Sequence, residues 1–95
     1  MLPGTQITVR ALPDGIRYRG MITEAKDGRF EFELEDEQAE PLVEGTLLEL
    51  RDLKTMILAT LAARRSPRVS VIAEHTVDLE QLARIRNGWS LLQNS

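Results

Sequence analysis

Two short segments in which apolar and polar side chains alternate, 16–24 and 29–37, constrain the fold of this chain most. In the second segment Phe30, Phe32 and Leu34 alternate with Glu31, Glu33 and Glu35. A period of two places successive side chains on opposite faces of a β-strand. The pattern therefore predicts an antiparallel β-scaffold with one apolar face and one face in water.

The turns between these segments predict a register. Residues 12–15, Leu-Pro-Asp-Gly, are typical of a type I turn, and a three-residue loop at 26–28 places Gly28 in the left-handed conformation that such loops require. The predicted pairs are Ile7 with Gly20, Val9 with Tyr18, Ala11 with Ile16, Gly20 with Leu34, and Ile22 with Phe32. In this register the apolar faces coincide, whereas a slip of one residue would mix them.

The second half of the chain predicts further strands at 46–50 and 68–74, the latter with Val69, Val71 and Ala73 facing inward. Residues 53–65 fit two structures, because their alanines and apolar spacing favour a helix while alternation also permits a strand. Periodicity alone leaves both open.

A C-terminal helix is predicted over about 78–87. Asp78 is a suitable N-cap, Gln81 stands three residues on as in a capping box, and Asn87-Gly88 resembles a C-terminal stop. Trp89 follows, and we expect it to cover an open end of the sheet.

Length and composition narrow the class of protein. At 95 residues the chain is predicted to be one domain, 1–95. It has no cysteine, which excludes disulfides and Cys-based zinc sites and favours a reducing cytoplasm. Its longest apolar run, 56–63, is far shorter than the roughly 20 residues of a membrane span. The net charge of −3 argues against a general nucleic-acid binder.

Arginines form two candidate sites. The predicted register places Arg19 opposite Glu35, Arg17 opposite Glu37, and Arg10 opposite Arg17. Arg10, Arg17 and Arg19 therefore form either an anion- or nucleotide-binding site or a solvated ladder of balanced charges. An alternative basic patch is formed by Arg64, Arg65 and Arg68.

Motifs for catalysis are missing from the sequence. His75 is the only histidine, and it accompanies neither a GxSxG elbow nor a Walker A or GxGxxG pattern. We therefore predict a protein that is not an enzyme and that has no catalytic residues, no metal site and no cofactor.

The chain resembles the PilZ-type barrels, and is most similar to the split-barrel domain that precedes PilZ in bacterial flagellar-brake proteins. The resemblance lies in the segments 4–9 (GTQITV), 18–22 (YRGMI), 27–32 (DGRFEF) and 41–50 (PLVEGTLLEL). It implies a mainly β fold, a small antiparallel β-barrel of about six strands followed by the C-terminal helix. It also favours a strand at 55–64.

The family's ligand motifs are incomplete in this chain. Members that bind cyclic di-GMP carry Arg-x-x-x-Arg before the barrel and Asp/Asn-x-Ser-x-x-Gly on an early strand. No arginine pair of that spacing precedes the barrel, and the nearest stretch to the second motif, Glu24 to Gly28, has Glu for Asp/Asn and Lys26 for Ser. The resemblance thus implies a degenerate member for which binding of cyclic di-GMP is possible but not favoured.

Two functional hypotheses follow. In the first, the chain is a non-catalytic signalling or protein-interaction module that binds a partner or self-associates through an apolar edge at 56–63. In the alternative, it is a small-barrel nucleic-acid-binding protein that uses its arginine patches, with Tyr18 or Trp89 for base stacking.

Overall fold

The computed structural model describes residues 1–35, 42–65 and 67–93, with side chains up to Arg86. Within this part of the chain six strands are followed by one helix. The elements are β1 (Gln6–Ala11), β2 (Tyr18–Lys26), β3 (Arg29–Leu34), β4 (Leu47–Arg51), β5 (Thr55–Arg65), β6 (Arg68–Asp78) and α1 (Leu79–Gln93).

The strands form a closed antiparallel barrel in the order β1-β2-β3-β6-β5-β4, and β1 closes it by pairing with β4. The predicted fold class, a small six-stranded barrel with a C-terminal helix, is confirmed. Closure depends on Val9 of β1 lying opposite Leu50, which the sequence places 41 residues further along.

Alternating side chains fill the barrel interior. Phe32 is fully buried and Leu34 is 6% exposed, as the strand pattern predicted. The other buried apolar side chains are Ile7, Val9, Ile22, Leu48, Leu50, Ile57, Ala59, Leu61, Val69 and Val71. Burial of a large apolar side chain contributes about 1.5–3 kcal/mol, so this interior is the main source of stability.

The first hairpin has the predicted register but a different turn. Ile7 pairs with Gly20 and Val9 with Tyr18, as expected. The predicted pair of Ala11 with Ile16 is wrong, because the β1–β2 ladder ends at Val9 and Tyr18, and β2 begins only at Tyr18. The type I turn is also wrong: the Gly15 N–H donates to the Ala11 carbonyl over 2.8 Å, one residue beyond a β-turn, and the Leu12–Pro13 peptide is cis.

The second hairpin also has the predicted register, but its loop is shorter than predicted and one strand contains a bulge. Gly20 pairs with Leu34 and Ile22 with Phe32, as predicted. The three-residue loop is wrong, because Lys26 pairs with Arg29 and the loop is Asp27-Gly28 alone, with φ angles of 51° and 77°. Positive φ at both positions is typical of a type I′ turn. A bulge between Ile22 and Glu24 absorbs the extra residue and keeps Phe32 inside.

Residues 55–65 form a strand, which resolves the ambiguity of the 53–65 segment. Ile57, Ala59 and Leu61 face the core, because cross-strand pairing and burial outweigh the helix propensity of the alanines. Residues 56–60 pair with both β4 and β6. The prediction of a free edge at 56–63 is therefore wrong over these five residues.

The last strand and the helix are longer than predicted. β6 runs to Asp78, with Val69 and Val71 buried and Ala73 packed against the core. An oxygen of the Asp78 carboxylate accepts hydrogen bonds from the N–H groups of Glu80 (2.9 Å) and Gln81 (3.1 Å), which confirms the N-cap. The predicted stop at Asn87-Gly88 is wrong, because α1 continues to Gln93. An interior glycine costs about 1 kcal/mol and does not by itself end a helix.

The Trp89 side chain lies outside the described residues, so its predicted position over the sheet is not addressed. In the part of the chain that the structure describes, no helix combines the length and the hydropathy needed to cross a membrane.

Candidate functional site: the arginine groove

An open groove crosses the outer face of β1 between β2 and β4. Its centre is Thr8, which pairs with Arg19 of β2 on one side and with Arg51 of β4 on the other. Paired residues on neighbouring strands point to the same face of a sheet. The barrel therefore places Arg19, Thr8 and Arg51 in one row across three strands.

Arg17 extends this row into what we call the arginine groove. The groove has a volume of about 560 Å³, and its polar lining includes Thr8, Arg17, Arg19, Glu35, Arg51 and Asp52. Arg17 and Arg19 are exposed and Arg51 is half-buried. Among the described residues, none of these three guanidinium groups forms an ion pair. Arg17 and Arg19 are therefore accessible to a ligand at the surface, and Arg51 is accessible in part.

Two carboxylates lie at the rim of the groove. Glu35 follows β3 beside Arg19, since its N–H donates to the Arg19 carbonyl over 2.9 Å. Asp52 is engaged in the β4–β5 turn, where its Oδ1 accepts hydrogen bonds from the N–H groups of Lys54 and Thr55. Counted over the described residues, three arginines against two carboxylates give the groove lining a net charge of +1.

Arg10 does not line this groove. It pairs with Glu49 of β4, and its Nε donates to Glu49 Oε2 over 2.8 Å. Glu49 is only 6% exposed, so this ion pair is part of the barrel wall. The predicted opposition of Arg10 and Arg17 is wrong, because the β1–β2 pairing ends at Val9 and Tyr18. The predicted partner of Arg17, Glu37, lies outside the described residues.

The alternative basic patch lies at the β5–β6 hairpin. Arg65 and Arg68 face each other across the two strands, and the Arg68 Nε donates to Glu33 Oε1 of β3 over 3.3 Å. Arg64 is half-buried opposite Val69. The hairpin brings the three arginines close in sequence and space, while Glu33 balances one of them.

Arg51 and Thr8 are the groove residues that sequence reasoning missed. Arg51 follows a strand predicted at 46–50 and has no local motif around it. Only the closure of β1 against β4 brings it beside Thr8, and that pairing joins segments 43 residues apart. The sequence predicted the strand β4 itself, but no feature of the sequence indicated which strand it would pair with.

The described residues contain no cluster of three or more His, Cys, Asp or Glu side chains suited to hold a metal ion. His75 is exposed on β6 opposite Leu58. The chemical groups that the groove offers are arginine guanidinium groups and a threonine hydroxyl, which form hydrogen bonds and attract anions.

The chain matches no protein-family model, and neither the curated proteins nor the solved structures contain a match to it. Its similarity to PilZ-type barrels thus stays an expectation from the quoted segments.

Proposed function

We propose that this chain is a non-catalytic protein-interaction module whose arginine groove binds an acidic segment of a partner protein. The observation that carries the proposal is the row of Arg19, Thr8 and Arg51, extended by Arg17, without an ion pair among the described residues. The planar guanidinium group binds carboxylates through two parallel hydrogen bonds, which gives the groove both attraction and directionality.

The mixed charge of the groove favours an acidic peptide over a nucleic acid. Glu35 and Asp52 at the rim oppose a backbone that carries a phosphate at every unit, whereas a peptide can place neutral residues beside them. Binding of single strands also relies on exposed aromatic side chains. The three aromatic side chains that the structure describes, Tyr18, Phe30 and Phe32, all pack in or against the core.

In this proposal the chain is a PilZ-like signalling module that acts in the cytoplasm through protein contacts. The stretch nearest the family's second ligand motif forms the end of β2 and the Asp27-Gly28 turn. It lines a separate depression with Arg29, Glu31 and Ser70, and not the arginine groove. We therefore expect the groove to act without cyclic di-GMP.

The proposal is tested by fluorescence anisotropy with a fluorescein-labelled peptide of alternating glutamate and glycine. We expect saturable binding that weakens with salt, and a loss of about five- to thirtyfold in affinity for Arg19→Ala or Arg51→Ala, because each removes a charge-assisted hydrogen bond worth about 1–2 kcal/mol. Arg84→Ala is the matched control, since Arg84 lies on α1 and pairs with Glu80.

Two competitors complete the experiment. A single-stranded oligothymidylate of similar charge should displace the peptide poorly, and cyclic di-GMP should not displace it. Absence of peptide binding, or an equal loss with the Arg84 variant, would refute the groove as the site. Tighter binding of the oligonucleotide than of the peptide would instead support the nucleic-acid alternative.

A further inference from the structure

The junction between α1 and the barrel contains a second recess beside the arginine groove. The first turn of the helix is fixed to the barrel, because the Leu79 N–H donates to the Lys54 carbonyl over 2.8 Å and Asp78 caps the helix. Further along, contact with the barrel is lost. Leu82 is half-buried, whereas the side chains from Ala83 to Arg86 are exposed, and Ile85 is 61% exposed.

The dimensions of the molecule agree with a helix that extends away from the barrel. The molecule measures 53 × 26 × 21 Å. A helix of 15 residues is about 22 Å long at 1.5 Å per residue, which accounts for most of the amount by which the longest dimension exceeds the other two. The helix and the barrel wall therefore diverge and leave a wedge-shaped space.

This space, which we call the helix crevice, is lined by four apolar residues and two arginines. Its volume is about 370 Å³, and the lining residues are Arg51, Met56, Leu79, Leu82, Ala83 and Arg86. Among the residues that the structure describes, no carboxylate is part of this lining. Half-buried Met56, Leu79 and Leu82 can therefore each gain burial from an apolar side chain inserted between them.

Arg51 connects the crevice to the arginine groove, because it lines both. A ligand that crosses Arg51 meets arginines on either side and an apolar recess at one end. We propose that the helix crevice receives a bulky apolar side chain from the same acidic segment that occupies the groove. The surface thus selects a segment that combines carboxylates with one large apolar residue at its end.

The choice of an acidic partner for the crevice follows from charge complementarity. Arg51 and Arg86 line the crevice together with its apolar residues, so a basic segment would be repelled there. This inference rests on the proposed function, since the groove supplies the charge contacts and the crevice adds an apolar contact.

The experiment uses the full chain and labelled peptides of alternating glutamate and glycine that end in alanine or in phenylalanine. Phenylalanine is placed at either end, so that both directions of the bound segment are sampled. We expect one phenylalanine peptide to bind about tenfold tighter or better than its alanine counterpart, because the ring becomes buried.

Two protein variants test whether the tighter binding of the phenylalanine peptide arises in the crevice. Leu82→Ala should abolish the advantage of phenylalanine, so that the phenylalanine and alanine peptides bind this variant with similar affinity. Ile85→Ala is the matched control on the same helix, and it should keep the advantage because Ile85 does not line the crevice. Far-ultraviolet circular dichroism checks that both variants keep the helix.

The outcomes separate this inference from the proposed function. If no peptide binds, the groove proposal fails. If alanine and phenylalanine peptides bind equally, or if Leu82→Ala keeps the advantage, the crevice proposal alone is overturned. If light scattering shows a dimer that Leu82→Ala dissociates, a second copy of the chain occupies the crevice and the acidic-partner assignment is wrong.

Discussion

Arg10 and the three arginines of the groove lie on the same barrel but in opposite electrostatic surroundings. Arg10 is bound to Glu49 inside the wall formed by β1 and β4, where the carboxylate is 6% exposed. Arg17, Arg19 and Arg51 surround Thr8 on the neighbouring part of that wall, and no ion pair engages them within the described residues. Arg10 holds two strands together, whereas the groove arginines are available to a ligand.

The role of each arginine in this barrel depends on the residue opposite it on the neighbouring strand. Arg10 lies opposite Glu49, whereas Arg19 and Arg51 both lie opposite the uncharged Thr8. A short hydroxyl side chain between two long cationic ones leaves the space that forms the groove. Substitution of Arg10 should therefore lower the free energy of unfolding, and substitution of a groove arginine should lower the affinity for the ligand.

The largest effect on stability is expected for Arg10→Ala. This change leaves the Glu49 carboxylate buried without its cation, so we expect a loss of about 2–3 kcal/mol in the free energy of unfolding. That is below the value for a fully buried pair, because the Arg10 side chain is 31% exposed. Urea denaturation measures it, and a loss under about 0.5 kcal/mol would remove the structural role of the pair.

A double variant tests whether Arg10 and Glu49 act as a pair. Arg10→Met combined with Glu49→Leu removes both charges and retains apolar volume in the wall. Since burying an ion pair is itself costly, we expect the double variant to unfold within about 1 kcal/mol of the parent. If its loss equals the sum of the two single losses, the two residues act independently.

A smaller effect is expected for Arg19→Ala. Exposed charges contribute little to folding, so the free energy of unfolding should change by less than about 0.5 kcal/mol. Arg10→Ala, studied in parallel, provides the contrast. A loss as large as that of Arg10→Ala would mean that Arg19 supports the fold and that the groove is not an open site.

No effect is expected from cyclic di-GMP. Isothermal calorimetry should show no binding heat, because no Arg-x-x-x-Arg precedes the barrel and the early-strand motif of members that bind this ligand is incomplete. Micromolar binding that Arg17→Ala abolishes would contradict the proposal and support a nucleotide-binding PilZ-like domain instead.

The fold could be predicted from the sequence wherever alternation and local turns acted together. The pairs of Ile7 with Gly20 and of Ile22 with Phe32 follow from matching apolar faces. The predicted three-residue loop at 26–28 was wrong because two arrangements give the same register. The structure has a bulge beside Ile22 and a shorter turn in place of the longer loop.

The candidate site was predicted only in part, because it depends on non-local pairing. Arg17 and Arg19 were visible as a local charge pattern, and they do line the groove. Arg51 joins them through barrel closure, and Glu49 removes Arg10 from the site through the same β1–β4 ladder. Neither contact has a signature within a short window of sequence.

We have proposed that the groove around Thr8 binds the ligand, whereas the Arg10–Glu49 pair supports the barrel. A nuclear magnetic resonance titration of isotopically labelled protein with the alternating glutamate–glycine peptide tests both assignments at once. We predict backbone amide shifts concentrated at 17–20 and 51–53, with little change at Arg10 and Glu49. Shifts centred on the β5–β6 hairpin, or none at saturating peptide, would contradict the account.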